Sequence, residues 1–112
     1  MMKDYVGHKK IARIYIDTQD RYKSKPLYEE ILYRAKEFGV AGATVLKGVA
    51  GMGVHTQIHS FELLSISQNL PLVIEIIDTE SKLKEFLATI DEIIEEGLCV
   101  IADVEVISYK HK

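Results

Sequence analysis

The stretch Ile11-Ala12-Arg13-Ile14-Tyr15-Ile16-Asp17-Thr18 decides the fold, because Leu72-Val73-Ile74-Glu75-Ile76-Ile77-Asp78-Thr79 repeats its pattern. Both runs are rich in β-branched residues and both end on Ile-Asp-Thr. They read as strands over Ile11 to Asp17 and Leu72 to Asp78, each leaving through the same kind of turn. The segments after the two strands repeat as well. After the first, Ser24 is the expected N-cap and Pro26 fits the first helical turn. Leu27, Ile31, Ala35 and Phe38 then recur at helical spacing up to Gly39, the expected C-cap. Gly42 to Val49 reads as the next strand. After the second copy, Leu83, Phe86, Leu87, Ile90 and Ile94 carry a helical stripe to Gly97, and Leu98 to Ser108 reads as the last strand. The two helices close on Glu37-Phe38-Gly39 and Glu95-Glu96-Gly97.

A period of about sixty residues in two copies is too long for a solenoid, so the chain is a β-α-β unit made twice. Right-handed crossovers fold βαββαβ into a four-stranded antiparallel sheet with both helices on one face, the ferredoxin-like α+β arrangement. A sheet covered on one side alternates apolar and polar residues. Here Glu75 alone interrupts Val73, Ile74, Ile76 and Ile77, and Arg13 and Tyr15 alone interrupt Ile11, Ala12, Ile14 and Ile16. The helix-free face is therefore too apolar for water, and the expected remedy is a homo-oligomer packing sheet against sheet.

Composition sets the outer limits. A chain of 112 residues, 47% hydrophobic and 28% charged, suits a single domain over 1–112 with an ordinary core. A net charge of −3 argues against nucleic acid as a partner. The one cysteine, Cys99, lies in an apolar run and reads as packing. Met1 to Lys10 has no apolar signal core, and no run reaches the roughly 18 apolar residues of a membrane helix, so a cytoplasmic location is expected.

The chemistry-bearing candidates concentrate in Lys47-Gly48-Val49-Ala50-Gly51-Met52-Gly53-Val54-His55. Three glycines there permit close backbone approach and positive φ, and inward-turned N–H groups can cradle a phosphate, with Lys47 adding charge. The run is neither a Walker loop nor a dinucleotide fingerprint. His55 and His59 stand four apart, but their flanks read as loop and strand and the zincin Glu is missing. Ser60, Ser65 and Ser67 occupy no nucleophile elbow. Glu75 and Glu105 interrupt apolar strands and are expected to pair with Arg13 or across a subunit contact. Glu80, Glu85, Asp91, Glu92, Glu95 and Glu96 read as the solvated side of the second helix, and Arg21, Lys23 and Lys25 form a small basic cluster before the first.

Gly42-Ala43-Thr44-Val45, Gly51-Met52-Gly53 and His55-Thr56 resemble the segment of PII signalling proteins that runs from the second strand into the regulatory T-loop. With Lys25-Pro26-Leu27-Tyr28-Glu29, Leu70-Pro71-Leu72-Val73 and Ile77-Asp78-Thr79, the chain resembles, nearly end to end, a bacterial and archaeal PII-like family labelled a domain of unknown function. The resemblance implies a homotrimer with its sheets at the centre and an adenine nucleotide in the clefts between subunits. It places Gly51 and Gly53 along the phosphates and Thr44 near the nucleotide. Lys47 enters on charge, because one extra residue between Gly42 and Gly51 moves it out of the PII pattern. Gly48, Met52 and His55 complete the candidate set. The Arg-Gln-Lys that comes after Gly-x-Gly in PII proteins is missing, the glycine-rich loop after the second helix shrinks to Gly97, and the basic C-terminus to Lys110-His111-Lys112. ADP or AMP, which need fewer cations than ATP, are thus the implied ligands. No metal is expected. The implied role is a non-enzymatic sensor acting through the loop Gly48 to Ser60, with a membrane transporter of the fluoride-channel type as partner. Two alternatives stand beside it: a metal-binding trimer of the copper-tolerance type, using His55, His59 and Cys99, and a small ferredoxin-fold enzyme.

Overall fold

The computed structural model describes residues 5–52, 58–60 and 70–110. Its elements in chain order are β1 (Gly7–Asp17), β2 (Arg21–Tyr22), β3 (Lys25–Pro26), α1 (Leu27–Phe38), β4 (Gly42–Lys47), β5 (Ala50–Met52), β6 (Ile58–Ser60), β7 (Pro71–Asp78), α2 (Glu80–Ile90) and β8 (Leu98–Val106). Four strands form one sheet in the order β4-β7-β1-β8, every neighbouring pair antiparallel. This is the expected ferredoxin-like arrangement, with the two repeated strands, β1 and β7, side by side at its centre.

Strand periodicity sorts the side chains. Ala12, Ile14 and Ile16 of β1 and Leu72, Ile74 and Ile76 of β7 all turn to one face, where they are buried against Leu27, Ile31 and Ala35 of α1 and Leu83, Phe86 and Ile90 of α2. Both helices therefore cover the same face. Phe86 has no exposure and its ring centroid lies 5.5 Å from that of Phe38, so one aromatic contact ties α2 to the end of α1.

Several boundaries differ from the sequence reading, each for a local reason. β1 begins at Gly7, four residues before Ile11, because the polar run 7–10 pairs with Val106 to Asp103 on β8 and Lys10 is ion-paired to Asp103. Ser24 does not cap α1. It stands in the turn of the β2–β3 ribbon, Pro26 occupies the cap position without a side-chain bond, and the Asp20 carbonyl accepts the Leu27 N–H at 2.8 Å. Gly39 does close α1, with φ 86° and its N–H shared between the carbonyls of Ala35 and Lys36.

β4 stops at Lys47 rather than Val49. α2 ends at Ile90, a 3-10 turn covers Asp91–Ile93, and Ile94 is already extended. The apolar stripe outlasts the helix because Ile93 and Ile94 still pack on the core from that tightened turn. Gly97 is thus no helix cap: a Cβ there would lie 2.8 Å from the Tyr15 carbonyl oxygen, so glycine lets the chain pass close to β1. β8 ends at Val106, two residues before Ser108, and Cys99 on this edge strand is exposed rather than packed away. Partial burial still pushes its thiol pKa up. Among the described residues, no helix is long and apolar enough to cross a membrane.

Candidate functional site

The register of the sheet arranges its helix-free face in three rows. Leu46, Val73, Tyr15 and Leu98 form one, Thr44, Glu75, Arg13 and Val100 the next, and Gly42, Ile77, Ile11 and Ala102 the third. In the first, Leu46 is 47% exposed and Leu98 59%, an apolar strip open to solvent. The middle row is polar at its centre: the Arg13 Nε donates to Glu75 Oε2 at 3.1 Å. The expected Arg13–Glu75 pairing across the sheet is therefore present, while Glu105 stands opposite His8 instead.

At the end of the sheet beyond the apolar row, β4 leaves for β5 and β6. The expected loop here is a hairpin: Gly51 stands opposite His59 and Met52 opposite Ile58. Gly48 donates its N–H to the Pro71 carbonyl at 2.7 Å. A Cβ at Gly48 would come within 2.7 Å of Pro71 Cγ, and one at Gly51 within 2.9 Å. Both glycines are needed for space, not for a turn, since among the described residues only Gly7 and Gly39 are glycines with positive φ. The positive φ expected of this run is absent at both.

The candidate residues divide accordingly. Gly48, Gly51 and Met52 follow the hairpin past Pro71, with Met52 69% exposed. Lys47, opposite Leu72, is exposed on the helix side of the sheet, whereas Thr44, opposite Glu75, is on the helix-free side. One chain thus places these two on opposite faces. Gly53 and His55 lie outside the described residues. His59 falls in β6, and Cys99 is on β8, the sheet edge opposite the strand that leads into the hairpin. Of the residues of the metal alternative, His59 and Cys99 thus stand on different elements, β6 and β8, of two separate sheets. Among the described residues, no three His, Cys, Asp or Glu side chains form a group able to hold a metal.

Two further polar centres brace the scaffold. Glu30 of α1 is nearly buried and receives Lys25 Nζ at 2.8 Å and Arg34 Nε at 2.7 Å. Those hydrogen bonds, from Lys25 first and then Arg34, hold its carboxyl pKa below the ordinary value. Arg34 also lies over the Tyr22 ring at 5.2 Å and reaches the Thr89 carbonyl at 3.3 Å, joining the β2–β3 ribbon, α1 and α2. The basic cluster of Arg21, Lys23 and Lys25 is exposed on that ribbon. At the opposite end of β7, Asp78 is 2% exposed and accepts the N–H groups of Ala41 and Thr79 at 2.8 and 2.7 Å, fixing the start of β4 and of α2. A cleft of about 610 Å³ opens beside it, lined by His8, Lys10, Thr79, Glu80 and Asp103. Lys10 sits between Asp103 and Glu80 there, 3.9 Å from the latter, so its charge is already engaged.

The fold, with a hairpin at the sheet's end, is the one seen in PII-like proteins. CPII, a nitrogen regulatory PII-like protein from Thiomonas intermedia K12 whose structure holds ADP, AMP and bicarbonate, superposes with a TM-score of 0.67 at 18% identity, 88% of each chain being covered. The family is given by sequence: the DUF190 profile, described as "Uncharacterized ACR", matches residues 9–106, and the chain belongs to that family. A UPF0166 protein of Aquifex aeolicus (strain VF5) is 42% identical over 102 residues, covering 91% of this chain and 96% of the relative. Another, from Methanocaldococcus jannaschii, is 36% identical over 98 residues, covering 87% and 90%. The expected uncharacterised family of bacteria and archaea is thereby shown, and its fold in this chain is PII-like.

Proposed function

We propose that the chain is a non-enzymatic PII-like regulator that works as a single-domain homotrimer in the cytoplasm. In this reading an adenine nucleotide, ADP or AMP in preference to ATP, sits in the clefts between copies. The observation that carries it is the open apolar row of Leu46, Val73, Tyr15 and Leu98, which ends beside the glycine-lined start of the hairpin. Covering that row with sister sheets removes it from water and brings a second chain up to β4, the edge from which Thr44 and Lys47 project to opposite sides. A cleft walled by two chains resolves the separation of those two residues, because each can serve a different wall. The ADP and AMP held by CPII support the ligand class.

In the site, Gly51 and Gly53 lie along the phosphates, Lys47 supplies charge, Thr44 a hydroxyl, and Gly48, Met52 and His55 border them. The nucleotide acts as a signal only by favouring one state of the segment Gly48 to Ser60, since equal affinity for two states shifts neither. The partner that reads this state is a membrane transporter of the fluoride-channel type.

Calorimetric titration with ADP, AMP and ATP tests the reading. ADP or AMP binds more tightly than ATP, and no nucleotide is hydrolysed on prolonged incubation. Absence of heat at millimolar nucleotide overturns it, and turnover of ATP or ADP would make the protein an enzyme instead. Lys47→Ala lowers ADP affinity about tenfold, the equivalent of about 1.4 kcal/mol, without moving the melting temperature. Unchanged affinity in that variant would place the phosphates elsewhere.

A further inference from the structure

We propose that Pro71 is the positioning residue of the β5–β6 hairpin, a rigid wedge for which Gly48 and Gly51 are the receiving surface. Pro71 opens β7 between two buried neighbours, Leu70 at 8% and Leu72 at 4% exposure. Leu70 is tied on both sides: its carbonyl accepts the Thr18 N–H at 2.9 Å and its own N–H donates to Thr18 Oγ1 at 3.1 Å. The pyrrolidine ring fixes its own φ and, closed on its backbone nitrogen, can shift Cγ only by the small change of ring pucker. An anchored ring of this kind yields far less than a free side chain, so the approaching chain fits best where it lacks a side chain.

Gly48 and Gly51 are where it does. Their virtual Cβ atoms fall 2.7 and 2.9 Å from the same atom, Pro71 Cγ, while the contacts to Pro71 Cβ are 3.5 and 3.4 Å. One ring atom therefore accounts for the overlap at both positions. The Gly48 N–H, bonded to the Pro71 carbonyl at 2.7 Å, pins the chain at the ring's other side. Ring and hydrogen bond together set the direction in which β5 leaves the sheet. The inference rests on the proposed function in one respect: it is this hairpin whose placement governs nucleotide affinity.

The overlap at one atom permits a compensation experiment. Four full-length proteins are compared: wild type, Gly48→Ala, Pro71→Ala and the double variant. Gly48→Ala alone displaces the hairpin, speeding exchange of the residue 48 amide hydrogen at least about tenfold and weakening ADP by a similar factor, with little change in melting temperature. Pro71→Ala removes Cγ, so the double variant regains both the amide protection and the ADP affinity of Pro71→Ala alone. Gly51→Ala with Pro71→Ala gives a second cycle on the same atom. Additive losses in both cycles, or a melting temperature that falls in step with affinity, overturn the proposal. If wild type binds no ADP, the proposed function fails, and amide exchange alone still decides whether Pro71 positions the hairpin.

Discussion

Lys23 is held at φ 57°, in the left-handed region that a side chain disfavours, because the β2–β3 ribbon must reverse within two residues. Its ammonium lies 5.3 Å from the Tyr22 ring, a partial offset at an exposed site. Lys23→Gly relieves the backbone and raises stability by up to about 1 kcal/mol in urea melts; a loss of stability would mean that the ring contact outweighs the strain. Glu30 carries a pH dependence of definite sign. Its carboxyl pKa is lowered in the folded chain by the bonds from Lys25 and Arg34, so its contribution is complete above the ordinary carboxylate range, near pH ~4.3. That contribution disappears as pH falls through the lower, folded value. Melting temperature measured from pH 7 down to pH ~3 therefore drops more steeply in wild type than in Glu30→Gln, and parallel curves would contradict the assignment. At this scale the Arg13–Glu75 pair is legible, since each charge interrupts an apolar strand and the two signs are opposite. The glycines are not. Gly97, Gly48 and Gly51 look like turn-formers in sequence, whereas each is set by an atom distant along the chain that a Cβ would strike.

Elements are legible where a periodic apolar face persists and obscured where backbone groups cap one another. The core positions of β1, β7, α1 and α2 emerge from spacing alone, and Gly39 ends α1 as expected. The start of α1 does not, because the Asp20 carbonyl, not the Ser24 hydroxyl, takes up the Leu27 N–H. The stripe of α2 overruns the helix because Ile93 and Ile94 stay on the core after the helix has tightened. Thr79 is a side-chain cap that spacing does not single out: its Oγ1 accepts the Lys82 N–H at 3.3 Å at the start of α2. Thr79→Ala costs about 1 kcal/mol, a drop of about 4 °C in Tm, while Thr79→Ser keeps most of it. Equal losses in the two variants would assign the effect to the Thr methyl group rather than the cap. The β5–β6 hairpin reads as a loop in sequence since its strands are three residues each, too short for alternation to register.

The whole molecule shows most clearly what one chain cannot resolve for itself. Its helix-covered face is closed, and its other face presents an apolar row beside a neutral Arg13–Glu75 pair. Excess apolar character in β1 and β7 announces that face in the sequence. The proposed cleft, in which Thr44 and Lys47 would serve a common ligand, enters the sequence reading only through the family resemblance, since the spacing of residues in one chain does not describe a surface made by two. Leu46→Glu places a charge in the exposed row, and it is expected to dissociate the assembly while leaving the circular dichroism spectrum unchanged. Retention of the wild-type mass would place the contact on another surface. Sedimentation equilibrium of the wild-type protein at micromolar concentration bears on the central claim most directly. A particle three times the 12.7 kDa chain mass is the predicted result, and a single 12.7 kDa species over the whole concentration range would contradict it.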